Sequence, residues 1–306
     1  MSLVGCRELI GEAERGGYAV GYFESWNLES LLAVADAAER TSSPVILGFS
    51  GIFLPSPDRR VADPLGVIAA MAREVATRLS VPACLLFNES PYLDAVFEAI
   101  DLGFGLVMYT DDGLAPTLLE ERIANVVARA HAKNVAVEGE MTPLEGVGGG
   151  LGGVPGDRRL TDHEAARRFV ERTGIDALAV NIGQVHMHGR ATVRLDLERL
   201  ASLRREVPIP LVLHGASSID RDDLKAATGL GIRKINVGSV LKQAFFNAVR
   251  QACLGVDNMY NPYEVIGSGL ESDILVKGRL AVQDVVEAHM RLFGSAGRAA
   301  PQARWT

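Results

Sequence analysis

The chain has 306 residues, of which 48% are hydrophobic and 23% charged, so it can bury a large core. Its net charge of -7 excludes the basic stripe that a nucleic-acid partner requires. Cys6, Cys84 and Cys253 lie too far apart for a disulfide framework or a zinc finger, which points to a reducing cytoplasm. The first residues lack the basic and apolar regions of a signal peptide. No apolar run approaches the roughly 18 residues of a membrane helix.

After a helix expected over 3–15, short apolar runs alternate with helical patterns. Strands are predicted at 18–23, 44–49, 82–87, 105–109, 135–139, 177–182, 211–213 and 234–238. Helices are predicted at 28–40, 65–79, 92–102, 118–131, 162–173, 197–206, 220–230 and 240–253, with a further one at 281–293. Such alternation implies parallel strands joined by right-handed crossovers. Eight units predict a (β/α)₈ TIM barrel over about residues 18–255, within a single domain spanning 1–306. The N-terminal helix is expected to cap the barrel floor. The 256–306 extension has two open placements, on its own barrel or on a neighbouring subunit. Residues 141–160 are too glycine-rich for a helix or strand and read as a lid or a surface insertion.

In such a barrel the chemistry sits where the strands end. Those ends carry Glu24, Ser50, Asn88 with Glu89, Thr110 with Asp111, Glu138 and Glu140, His186, His214, and Asn236 with Ser239. His186 and His214 follow consecutive strands, about 5 Å apart, and could share one metal ion. His188 stands close enough to substitute for His186, and His131 falls on a helix, where a structural role is expected. Glu138 and Glu140 flank Gly139 and are read as lying on opposite faces of the strand end, so at most one is expected to face the pocket. Lys234 opens the eighth predicted strand near the floor, which disfavours Schiff-base chemistry and favours metal assistance.

Several landmarks together carry a family resemblance: Ser43-Pro-Val-Ile-Leu-Gly, Gly103-Phe-Gly-Leu-Val-Met, Val137-Glu-Gly-Glu and Leu211-Val-Leu-His-Gly-Ala-Ser. The chain resembles the class II, metal-dependent ketose-bisphosphate aldolases of the fructose- and tagatose-bisphosphate group. The resemblance implies that His186 and His214 bind a divalent metal, with zinc the expected ion. It implies a phosphate cradle at Gly215, Ser217 and Ser239, and a substrate contact at Asn236; Ser50, from its place at a strand end, is a further candidate for substrate binding.

The chain also departs from the family. Leu86-Phe-Asn-Glu89 replaces His-Leu-Asp-His, so Asn88 stands at the catalytic aspartate and Glu89 at the third metal ligand. Glu24 replaces the family's asparagine after the first strand, and the arginine that reaches a partner's phosphate has no counterpart. An amide exchanges no proton near neutral pH, so Glu24 or Glu140 is expected to take the acid/base role. The expected function is a divergent aldolase-type lyase that cleaves a ketose, in phosphorylated form, through a metal-stabilised enediolate. The alternatives are a metal-dependent sugar isomerase or epimerase, and a non-catalytic barrel that binds sugar phosphate. A cytoplasmic homo-oligomer, dimer or tetramer, is expected, with a small-molecule substrate and no nucleic-acid or membrane partner.

Overall fold

The structure, a computed structural model, describes residues 2–141, 160–185 and 192–299. In chain order it runs α1 (Cys6–Gly16), β1 (Val20–Ser25), α2 (Leu28–Thr41), β2 (Val45–Ser50), α3 (Leu65–Arg78), β3 (Ala83–Ser90), α4 (Leu93–Asp101) and β4 (Leu106–Tyr109). It continues through α5 (Pro116–His131), β5 (Ala136–Glu140), α6 (His163–Thr173), β6 (Ala177–Ala179), α7 (Leu197–Glu206), β7 (Leu211–Leu213), α8 (Arg221–Gly229) and β8 (Ile232–Val237). Helices α9 (Ser239–Leu254), α10 (Pro262–Val265) and α11 (Ile274–Leu292) complete it. The eight strands pair in parallel and close into a barrel, β8 returning to β1. The TIM barrel predicted from the alternating pattern is therefore the fold.

Side chains of a strand alternate between two faces, and the core is divided accordingly. Outward residues such as Phe23, Leu47, Phe87, Val107 and Val137 pack under the helices. Inward residues Val20, Tyr22, Ile46, Cys84, Leu86, Leu106 and Ala136 meet Cys6, Leu9, Ile10 and Ala13 of α1. Helix α1 thus caps the floor, as its apolar face predicted.

Several boundaries differ from expectation, among them the end of β6 and the start of the last helix. Strand β6 stops at Ala179 because the chain turns back on itself at once: Asn181 Oδ1 accepts from Gly183 N–H at 3.1 Å, and Gln184 Oε1 from Ile182 N–H at 2.8 Å. The last helix begins at Ile274, where Asp273 caps it by accepting from Leu275 N–H. Gly278 obscured that start, since glycine weakens a helical pattern. It is needed for close packing, because a Cβ there would come within 2.6 Å of the Phe245 ring on α9. Helix α11 lies against α2 and α9 of its own barrel, with Arg40–Glu287 and Arg279–Asp36 ion pairs at the seam.

Candidate active site at the barrel mouth

Four side chains from four strands form the centre of the site. His214, just beyond β7, directs Nε2 to Glu138 Oε1 at 2.7 Å and Nδ1 to Glu89 Oε1 at 3.1 Å. Lys234 Nζ stands 2.8 Å from Glu138 Oε2, and both side chains are fully buried. That contact is an ion pair held by charge, since its angle misses that of a hydrogen bond. Lys234 Nζ also donates to Asn236 Oδ1 at 2.5 Å.

Lys234 corrects one expectation. Strand β8 starts at Ile232, so Lys234 lies within the strand rather than at its opening, and its side chain crosses the barrel to reach β5. The period of two could have revealed this, because Lys234 shares parity with the rim residue Asn236. An ammonium paired with a carboxylate is no nucleophile, so Schiff-base chemistry remains disfavoured.

The carboxylates at β5 correct a second one. Residues two apart on a strand share a face, so Glu138 and Glu140 both point inward. A Cβ at Gly139 would instead meet Ile175 and Phe169 under α6. The two carboxyl groups have opposite characters. Burial pushes the Glu138 pKa up, but Lys234 and His214 outweigh it and hold the group below its usual value. Glu140 is 6% exposed, and among the described residues no lysine or arginine forms an ion pair with it. Burial first, then the charges of Glu89, Glu138 and Asp112, raise its pKa to about 8 against the pull of His214.

At the end of β3 two consecutive residues reach the same pocket, which a regular strand forbids. The register with β4 shifts between Phe87 and Ser90, and Glu89 takes a left-handed φ of 52°. Bulges of this kind redirect side chains beside active sites, and the unfavourable backbone is local strain stored there. Asn88 Nδ2 consequently donates to Glu89 Oε2 at 2.6 Å, while the buried Asn88 Oδ1 has no partner among the described residues. Ser50 pairs with Asn88 across β2 and β3. Gly215, with φ 68°, opens a short 3-10 turn that carries Ser217, and Ser239 begins α9.

Glu24 does not share in this cluster. Its Oε1 accepts from Lys242 Nζ at 2.5 Å, at the rim between β1 and α9. Lys242 and the buried Tyr22, whose hydroxyl has no partner among the described residues, were not singled out from sequence. Lys242 lies in a helix and Tyr22 in an apolar run, so local pattern marks neither. His186 and His188, and the glycine-rich segment from 142 to 159, lie outside the described residues. His131 ends α5 and contacts Asp176 Oδ2 at 3.0 Å, away from the mouth.

The donor set suits a divalent cation in its chemistry. Three carboxyl groups, Glu89, Glu138 and Glu140, surround one imidazole and one ammonium in a buried space. Burial lowers the His214 pKa, yet the charge of Glu89 and hydrogen bonds to Glu138 and Glu89 raise it to about 10. A proton on the imidazole thus supplies positive charge that a metal ion would supply instead. Among the described residues no three His, Cys, Asp or Glu side chains form a ready-made metal shell. His214 and Glu89 would have to exchange their mutual contact for the ion.

The family profile described as fructose-bisphosphate aldolase class-II matches residues 4–298. A fructose-bisphosphate aldolase of Geobacillus stearothermophilus is 36% identical over 304 residues, covering 98% of this chain and 100% of that protein. A 6-phospho-5-dehydro-2-deoxy-D-gluconate aldolase of Bacillus subtilis (strain 168) is 33% identical, covering 99% of each. The crystal structure of the YdjI aldolase from Escherichia coli K12 superposes with a TM-score of 0.78 at 28% identity, covering 97% of this chain and 100% of that one. Barrel, mouth chemistry and these likenesses agree: the chain belongs to the class II fructose-bisphosphate aldolase family and is an aldolase-type lyase.

Proposed function

We propose that the whole chain acts as one domain that cleaves a phosphorylated ketose to an aldehyde and a smaller ketone. The reading is carried by the placement of Glu140, a buried carboxyl with a pKa near 8 beside His214 and Glu89. A general acid/base works best when its pKa lies near the working pH, and Asn88 cannot do this work. Glu140 takes the proton from the substrate hydroxyl as the carbon–carbon bond breaks, and the bonding electron pair moves toward the ketone to give an enolate. Protonation of the enolate carbon, with the proton Glu140 has just taken, yields the smaller ketone. In condensation the same carboxyl returns the proton to the aldehyde oxygen. Glu24 is less suited to this task because Lys242 holds its carboxylate.

His186, His214 and Glu89 are the proposed metal ligands, with zinc the proposed ion. When bound there, a divalent ion supplies Lewis acidity to the substrate's ketone. Asn88 Oδ1, which has no hydrogen-bond partner among the described residues, is proposed to accept from a substrate hydroxyl. Ser50, Gly215, Ser217, Asn236 and Ser239 are proposed to bind the sugar's remaining polar groups. Aldehyde release from candidate ketose phosphates tests the function. It should vanish on chelation and return with metal, and His214→Ala should lower both metal content and kcat/KM at least a hundredfold. Solvent-deuterium exchange without aldehyde release would instead select the isomerase or epimerase reading.

No described helix is long and apolar enough to cross a membrane; a cytoplasmic location is part of this proposal. So is a homo-oligomer. Helix α9 buries only Leu241, while Phe246, Leu254, Met259, Tyr260, Tyr263, Ile266 and Leu270 are exposed along α9 and the chain beyond it. An exposed apolar patch of that kind marks an interface. Light scattering should give a mass at a multiple of 32.7 kDa, and Phe246→Glu should reduce it.

A further inference from the structure

We infer that Tyr22 is a further catalytic residue: beside the Asn236 amide N–H, its buried phenol O–H donates to the substrate oxygen that gains negative charge as the carbon–carbon bond breaks. This rests on the aldolase reading and adds a donor to it.

Tyr22 points into the barrel from β1 and is buried. Asn236, also buried, stands beside it in the register of β1 with β8. Lys234 Nζ lies 5.3 Å from the centre of the Tyr22 ring and donates to Asn236 Oδ1 at 2.5 Å. An ammonium has no acceptor to offer, so the amide must turn its oxygen to Lys234 and its Nδ2 away. Lys234 thereby fixes Asn236 as a donor. Among the described residues neither Tyr22 Oη nor Asn236 Nδ2 has a hydrogen-bond partner. A buried donor without an acceptor is destabilising. Two of them, on adjacent strands, are a cost that a substrate oxygen can relieve.

The protein's own acceptors nearby are engaged elsewhere. Burial first, then the charges of Glu24, Glu89 and Glu138, push the Tyr22 pKa well above its usual value, so the phenol keeps its proton. None of these carboxylates accepts from it. Glu138 faces His214 and Lys234, Glu24 faces Lys242, and Glu89 faces His214 and Asn88. The acceptor must therefore come from a bound molecule. Neutral donors fixed in a buried site suit an oxygen whose charge grows during the reaction. Aldol cleavage makes such an oxygen, because the ketone oxygen becomes that of the enolate.

Tyr22→Phe removes the hydroxyl and keeps the ring beside Lys234. In the full-length, metal-loaded protein, kcat for ketose phosphate cleavage should fall at least tenfold, with metal content unchanged. The urea midpoint should stay level or rise, because a buried group without a partner is lost. A hydroxyl that only fills the core would leave kcat at the wild-type value, and one bonded within the protein would lower the midpoint. Either result overturns the inference and leaves the aldolase reading standing. Glycolohydroxamate, whose ionised oxygen stands in for that of the enolate, should bind Tyr22→Phe at least tenfold more weakly than wild type by calorimetry. If wild type turns over no ketose phosphate, the aldolase reading fails. The hydroxamate titration then decides the role of Tyr22 alone, and equal affinities would overturn it.

Discussion

Lys234→Met should destabilise the barrel by about 3–5 kcal/mol in urea unfolding, the usual cost of removing one partner of a buried ion pair. The methionine fills nearly the same volume, so the loss is one of charge and not of packing. Glu138 would keep His214 but lose the ammonium 2.8 Å from its other oxygen, leaving a buried carboxylate short of its counter-charge. Asn236 Oδ1 would lose its donor as well. Coupling separates this from a general packing defect: Glu138→Gln in the Lys234→Met background should recover part of the lost stability. A double variant as unstable as the sum of the two single ones would show that the pair does not interact. The metal-free protein should be used, so that a bound ion does not mask the change.

The barrel was legible because its information is local. Strands β1 to β5 and β7 announce themselves as apolar runs bounded by turn residues, and helices α2 to α9 as patterns between them. His214 was legible because it interrupts such a run at its end. What it contacts was not, since Glu89, Glu138 and Lys234 come from three other strands whose register only barrel closure fixes. Glu89 shows the limit most clearly. Alternation predicts that Asn88 and Glu89 face opposite sides, and a one-residue bulge with a left-handed φ brings both into one pocket. The choice between Glu24 and Glu140 likewise rested on partners. Each ends a strand as a bare carboxylate in the sequence, but Lys242, from a distant helix, takes only one of them.

Glu140→Gln should lower kcat by about 10²–10⁴, the usual contribution of a positioned acid or base, while leaving metal content near that of the wild type. The same substitution should change how the metal-free protein responds to pH, with a sign the environment dictates. Glu140 holds its proton in the folded state up to a pH of about 8, whereas the unfolded chain loses it near the ordinary value of 4.5. Between those limits the folded state binds the extra proton, so stability falls as pH rises through this window and is flat outside it for this group. His214 adds a fall of the same sign between 6.5 and about 10, because its folded pKa is also raised. Glutamine carries no charge at any pH. The variant should therefore lose the descent between 4.5 and 8 that Glu140 causes, keep the one belonging to His214, and be more stable than wild type at pH 8.5. Parallel stability–pH curves for the two proteins would mean that Glu140 ionises normally, and the acid/base role proposed for it would lose its physical basis.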